Sequence, residues 1–225
     1  KGVTDILTKY LWPELALVLT RVAARLGMTP NMVTALEAIA CVAATYLFYH
    51  GQFWAGMASA FIFMVFDTVD GKLARCTITS SYWGNIFDHG LDLIHPPFWW
   101  VAWIYGLVQI GMPLSANQWT FVLTAILGGY VAQRIIEGVF IHSFGQHIHV
   151  WRRIESQFRL IAARRNPNMI LLFFALLVDR PDWGILAVAW WTIISLLVHL
   201  IQLVQAAKVK MGGGEIVSWL ENVGR

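Results

Sequence analysis

Hydrophobic residues in this chain gather into long runs that break at glycine, proline and polar clusters. That spacing predicts membrane-crossing helices rather than a soluble core. Runs at about 32 to 49, 53 to 75, 84 to 111, 118 to 142, 166 to 180 and 185 to 207 give six expected spans, the fifth of them short. Residues 4 to 27 read differently: apolar positions recur at helical spacing, Lys9, Arg21 and Arg25 fall on other faces, and Pro13 interrupts the run. Such a segment is too charged to span and is expected to lie in the membrane interface. Gly27-Met28-Thr29-Pro30-Asn31 ends it, with Asn31 placed to cap the next helix. The expected fold is an all-α integral membrane protein, six transmembrane helices preceded by an N-terminal interfacial amphipathic helix. Residues 1–28 would form that helix, 29–210 the membrane domain and 211–225 a C-terminal tail.

Composition agrees with this reading. Of 225 residues, 58% are hydrophobic and 13% charged, about half the charged share of a soluble domain. Two cysteines, Cys41 in an apolar run and Cys76 in a polar stretch, suggest free thiols rather than a disulfide framework or zinc site. The net charge of +3 matters through its placement. With six spans, fifteen of the sixteen Lys and Arg residues fall on one side or in the adjacent half of a helix, Arg180 being the exception. The positive-inside rule makes that side cytoplasmic, in a cytoplasmic membrane. Trp12, Trp54, Trp119 and Trp183 stand near span ends, as an aromatic belt would place them. A start at Lys1 is what an excised domain would show, with room for a donor-making domain upstream.

Chemistry concentrates between Asp67 and Asp92, in DTVDGKLARCTITSSYWGNIFDHGLD. Asp67 and Asp70 are three apart, Asp88 and Asp92 four apart, so each pair shares one helical face. Gly71, Ala74 and Gly84 line those faces with almost no side chain, leaving room for a ligand. Four clustered carboxylates repel unless protonated or neutralised by cations. An all-oxygen donor set favours Mg²⁺ over Mn²⁺ or Ca²⁺. Two such ions could clamp a phosphoryl group, with Arg75 on its oxygens.

These residues also resemble the signature of the CDP-alcohol phosphotransferases, D-x2-D-G-x2-A-R-x8-G-x3-D-x3-D. Asp67, Asp70, Gly71, Ala74, Arg75, Gly84, Asp88 and Asp92 match it with every gap correct. A chance match in a chain this size is on the order of one in 10⁸. A secondary, mildly specific match is Pro30, Asn31 and Thr34. The resemblance implies attack by an acceptor alcohol on the β-phosphorus of a CDP-linked alcohol, CDP-diacylglycerol or similar, with release of CMP. It implies two Mg²⁺ ions, or Mn²⁺ in their place, on Asp67, Asp70, Asp88 and Asp92, with Asp92 as ligand or base. It also places the donor against Gly71, Ala74, Arg75 and Asp70, and suggests a homodimer in contact with membrane lipids. No nucleic-acid partner is expected.

Other polar residues stay open between two roles. Glu37, inside the first span, is either an interhelical hydrogen-bond partner or a wall of the polar cavity. Arg134 either pairs with Glu137, three residues on, or recognises a phosphate or carboxylate. The basic segment from 143 to 165 either holds anionic headgroups or lends one or two arginines to the acceptor or lipid phosphate. Arg134, Arg152, Arg153 and Arg164 are the candidates. His95, one turn past Asp92, reads first as packing. Two rival functions are a metal-dependent hydrolase of nucleotide-linked lipid, using water as acceptor, and an ion-coupled transporter. The lack of an inverted repeat and an acidic cluster near one membrane face argue against the transporter.

Overall fold

The computed structural model describes residues 3–78 and 82–222, all helical or irregular. Nine α-helices follow in order among those residues: α1 Trp12–Arg25, α2 Pro30–Tyr49, α3 Phe53–Thr77, α4 Tyr82–Gln109, α5 Ala116–Leu123, α6 Gly129–Phe144, α7 Arg153–Phe158, α8 Arg165–Leu177 and α9 Pro181–Met211. A π-helical turn, Thr124–Gly128, joins α5 to α6 into one helix of 29 residues.

The all-α membrane fold stands, but the count of six spans does not. Among the described residues, four helices are long and apolar enough to cross a bilayer: α2, α3, the joined α5–α6 and α9. This is a multi-pass membrane protein. Helix α8 has 13 residues, or about 20 Å at 1.5 Å per residue, short of the roughly 30 Å hydrocarbon core. Helix α4 has 28 residues but is not among the four; two aspartates, His89, His95, two prolines and several tryptophans dilute its apolar character.

Local chemistry accounts for the helix ends. Thr29, not Asn31, caps α2: its hydroxyl accepts the Met32 N–H at 3.3 Å, and Pro30 occupies the first turn, where no amide is needed. Ser115 and Gln118 form a reciprocal capping box at α5. Helices α2 and α4 approach closely at Gly106, where a Cβ would stand 2.0 Å from the Phe48 carbonyl oxygen.

Helix α4 runs through Pro96 and Pro97, which remove two amides from its ladder. The Leu93 carbonyl that Pro97 leaves without a helical donor accepts the Tyr130 hydroxyl at 2.7 Å. Near the same point His95 is buried between Phe63 and Trp99, ring centroids 4.5 and 4.8 Å away. Its Nδ1 lies 2.7 Å from the Leu91 carbonyl, so Nδ1 carries the proton and the ring is held as packing.

Helix α1 buries Trp12, Ala16, Thr20 and Ala23 and turns Leu15, Val18 and Val22 outward. Trp12 is 1% exposed, edge-on to Phe61, so it belongs to the core and not to an aromatic belt. Trp54, Trp119 and Trp183 are exposed. Lys72 donates to the Pro13 carbonyl at 2.9 Å and ties α1 to α3.

One large apolar cluster joins α1 to α5 with α8 and α9. A second, smaller one (Ile136, Phe140, Ile148, Trp151, Ala206) packs the segment after α6 onto α6 and α9. The tail docks on that segment: Ser218 donates to the Val150 carbonyl, and Trp219 Nε1 to Ser156. Cys41 is buried and Cys76 exposed, both as free thiols.

Candidate functional site

Asp67 and Asp70 lie near the C-terminal end of α3, and Asp92 lies in the first part of α4. Asp67, Asp92 and Glu37 of α2 each bring a carboxylate oxygen within 4.8 Å of the other two. Glu37 is fully buried, Asp67 half-buried and Asp92 exposed. Glu37 thus joins the acidic cluster of α3 and α4. Asp70 is outside this trio. It is 5% exposed, and its Oδ2 accepts the Thr34 hydroxyl at 2.8 Å. Thr34 and Glu37, three residues apart, present one face of α2 to the aspartates of α3. The Asp88 side chain lies outside the described residues.

Arg165, the first residue of α8, reaches into the trio. Its Nη1 donates to Asp92 Oδ1 and its Nη2 to Asp67 Oδ2, each at 2.5 Å. The guanidinium lies over the Phe63 ring, 4.7 Å from its centroid, and Nε donates to Asn166 Oδ1. Sequence reasoning left Arg165 within the basic segment from 143 to 165, open between headgroup and phosphate contacts, and missed this one. One signal was available: Arg164 and Arg165 open a helix, where the macrodipole disfavours cations, so each needs a carboxylate from elsewhere.

Further along the signature, Gly71 and Ala74 are half-buried and Arg75 is exposed. Arg75 folds back over Gly71: a Cβ there would stand 3.4 Å from Arg75 Nη1. The space over Gly71 is thus covered by the Arg75 guanidinium.

A basic centre lies beside the acidic one. Glu137 of α6 accepts from Arg134 at 2.9 Å, from Arg164, and from His149 Nε2 at 3.2 Å. The expected Arg134–Glu137 pair therefore exists, as part of a larger cluster. Burial, reinforced by Arg159 and Arg164, pushes the His149 imidazole down to about 3, against the raising effect of Glu137. His149 is accordingly neutral and donates Nε2–H to the carboxylate, rather than forming an ion pair. Burial also lowers Arg159 to about 9, with Arg164 adding and Glu137 and Asp5 opposing. Arg159 stays charged at neutral pH, and its buried Nη1 has no hydrogen-bond partner among the described residues.

The other two candidate arginines lie elsewhere. Arg152 pairs with buried Glu155, bonds Gln205 and stacks on Trp151. Arg153 is exposed. The segment from 143 to 165 is not a loose headgroup loop, because Ile148, Trp151, Glu155 and Ala162 are buried in it. Asp5 braces it from the N-terminus. Burial would raise its carboxyl, but bonds from Thr8 and Asn166 outweigh that and hold it below the usual carboxylate range.

A small cavity of about 20 Å³, room for roughly one water, lies between the two centres against Tyr130, Arg164, Arg165 and Asn168. A larger apolar groove of about 460 Å³ runs between α2 and α4, from Cys41 and Leu91 to Tyr49 and Phe98.

Fold and site together define a multi-pass membrane protein with an acidic centre beside a basic one. The sequence profile of the CDP-alcohol phosphatidyltransferases matches residues 27–194, and the chain belongs to that family. Cholinephosphotransferase 1 of Gallus gallus is 43% identical over 76 residues, 32% of this chain and 22% of the relative. Phosphatidylinositol phosphate synthase of Mycobacterium tuberculosis is 35% identical over 85 residues, 35% of this chain and 39% of the relative. These alignments span well under half of either relative's length.

The fold resembles that synthase's crystal structure in complex with manganese and citrate. The TM-score is 0.63 at 18% identity, covering 84% of this chain and 88% of the other. The same enzyme with CDP-DAG bound gives a TM-score of 0.59 at 18% identity, covering 84% and 94%.

Proposed function

We propose that this protein transfers a phosphoalcohol group from a CDP-linked alcohol to an acceptor alcohol, releasing CMP. The observation that carries the reading is the convergence of Glu37, Asp67 and Asp92, with Asp70 beside them, at the end of the membrane helices where the arginines gather. The donor set fits a hard divalent ion. All its atoms are carboxylate oxygens, and three carboxylates face one guanidinium, which leaves net negative charge for a cation to neutralise.

In this reading Asp67, Asp70, Asp88 and Asp92 would hold two Mg²⁺ ions, or Mn²⁺ in their place. When bound, the metal supplies neutralising charge at the diphosphate and its leaving oxygen. Gly71 and Ala74 admit the cytidine diphosphate close to the α3 backbone, and Arg75 holds its oxygens. Asp92, on the exposed side of the trio, takes the proton from the acceptor hydroxyl. The acceptor oxygen then forms its bond to the β-phosphorus as the bond to CMP breaks.

Arg134 and Arg164 would orient an acceptor that carries a phosphate; Arg152 and Arg153 lie away from this pocket and are not assigned to it. The apolar groove favours a lipid-linked donor such as CDP-diacylglycerol, because it starts at Cys41, one helical turn from Glu37. The basic residues near the site favour a cytoplasmic orientation. The homodimer follows from the family resemblance.

The test is a screen of CDP-diacylglycerol and CDP-choline-type donors against alcohol and phosphoalcohol acceptors, on purified protein in detergent with Mg²⁺. Mass spectrometry should detect CMP together with a new phosphodiester. CMP formed equally without any acceptor would make the protein a hydrolase. Absence of CMP with every donor would remove the assignment.

A further inference from the structure

Arg165 is hard to explain as an ordinary surface cation. It arrives from α8, forks across two carboxylates on two other helices, and does so where its helix N-terminus disfavours positive charge. Its side chain is 13% exposed. The fork is bidentate in the sense that matters here: one nitrogen on Asp67, the other on Asp92, so the guanidinium fixes the separation of α3 and α4 at the site. Glu37 lies within 4.8 Å of the same two carboxylates and adds a third negative charge around the guanidinium.

We infer that Arg165 is a positioning residue that competes with the divalent cation for Asp67 and Asp92, while Glu37 strengthens the site for either cation. A guanidinium on these two carboxylates neutralises part of the negative charge that a divalent ion needs, and it repels that ion at short range. Arg165 therefore sets the threshold of metal concentration at which the site fills, and keeps two helices in register below it. This inference rests on the metal-dependent reading of the acidic site and not on the identity of donor or acceptor.

The experiment measures Mn²⁺ affinity of the purified full chain in detergent by electron paramagnetic resonance, with no donor or acceptor present. Melting temperature is recorded in EDTA and in saturating Mn²⁺. Arg165→Met should bind Mn²⁺ on the order of tenfold more tightly, because a competing charge has gone. It should also melt lower in EDTA and show a larger Mn²⁺-induced rise than the wild type.

Arg165→Lys, which keeps the charge but loses the fork, should fall between the two, and it serves alone if the Met variant does not fold. Glu37→Gln should weaken Mn²⁺ binding by a similar factor. A purely structural Arg165 would lower the melting temperature equally with and without Mn²⁺ and leave affinity unchanged or weaker; that result overturns the inference. Unchanged affinity in Glu37→Gln would overturn the part assigned to Glu37. Wild-type protein that binds no Mn²⁺ would instead overturn the metal-dependent reading itself.

Discussion

The acidic and basic centres are opposites in composition, and α8 joins them through two consecutive residues. In one, Glu37, Asp67 and Asp92 surround the single guanidinium of Arg165. In the other, Arg134, Arg164 and neutral His149 surround the single carboxylate of Glu137, with Arg159 close by. Neighbouring side chains on a helix start point about 100° apart, so one short element serves both centres. One centre is left with surplus negative charge and the other with surplus positive charge. That division suits the proposed transfer, with the donor at the acidic centre and a phosphorylated acceptor at the basic one.

The sharpest way to break this division is to strike the acidic side. Asp92→Asn should lower CMP release by about 10²- to 10⁴-fold, the usual range for a lost general base, with helicity unchanged by circular dichroism. Near-normal turnover would move the base elsewhere. Chelation comes next: EDTA should reduce activity to background, and Mg²⁺ or Mn²⁺ should restore it, measured as CMP by chromatography.

On the basic side, Glu137→Gln leaves Arg134 and Arg164 without their shared carboxylate. Removing one partner of a buried ion pair costs about 3 to 5 kcal/mol, so the melting temperature should fall clearly. Metal affinity at the acidic centre should hold.

Acid should also weaken the basic centre. His149 titrates near 3 when folded and near 6.5 when unfolded, so the unfolded chain binds the extra proton between those values. This contribution to stability is intact above pH 6.5 and declines as pH falls toward 3. His149→Gln should flatten that part of the stability profile in thermal melts. The smallest effect is expected from Arg153→Ala, an exposed site outside both centres, at within about 0.5 kcal/mol and with normal turnover.

Two of the four aspartates read from the sequence, Asp67 and Asp92, meet in the trio; Asp70, three residues from Asp67, turns to Thr34 instead, and the Asp88 side chain lies outside the described residues. Glu37 was visible only as an expensive charge in an apolar run. Its convergence with Asp67 and Asp92 depends on α2 packing against α3 and α4, a tertiary fact that no local interval encodes. Arg165 was one basic residue among several between 143 and 165, and direction is what separates it from Arg153. Helix positions were largely readable, α2 and α3 to within about two residues. The number of crossings was not: α8 is apolar but has only 13 residues, and α4 is long enough but diluted by polar residues, prolines and tryptophans.

The tyrosine that bonds the Leu93 carbonyl gives α4 a mechanical reference outside itself. A helix that has lost two consecutive rungs of its ladder can shear there, and the two carbonyls that lose a helical donor are those of Asp92 and Leu93. By clamping the second of them to α6, Tyr130 makes any axial slip at Asp92 register at once on the helix that carries Arg134 and Glu137. The acidic and basic centres are thereby indexed to each other by one phenol.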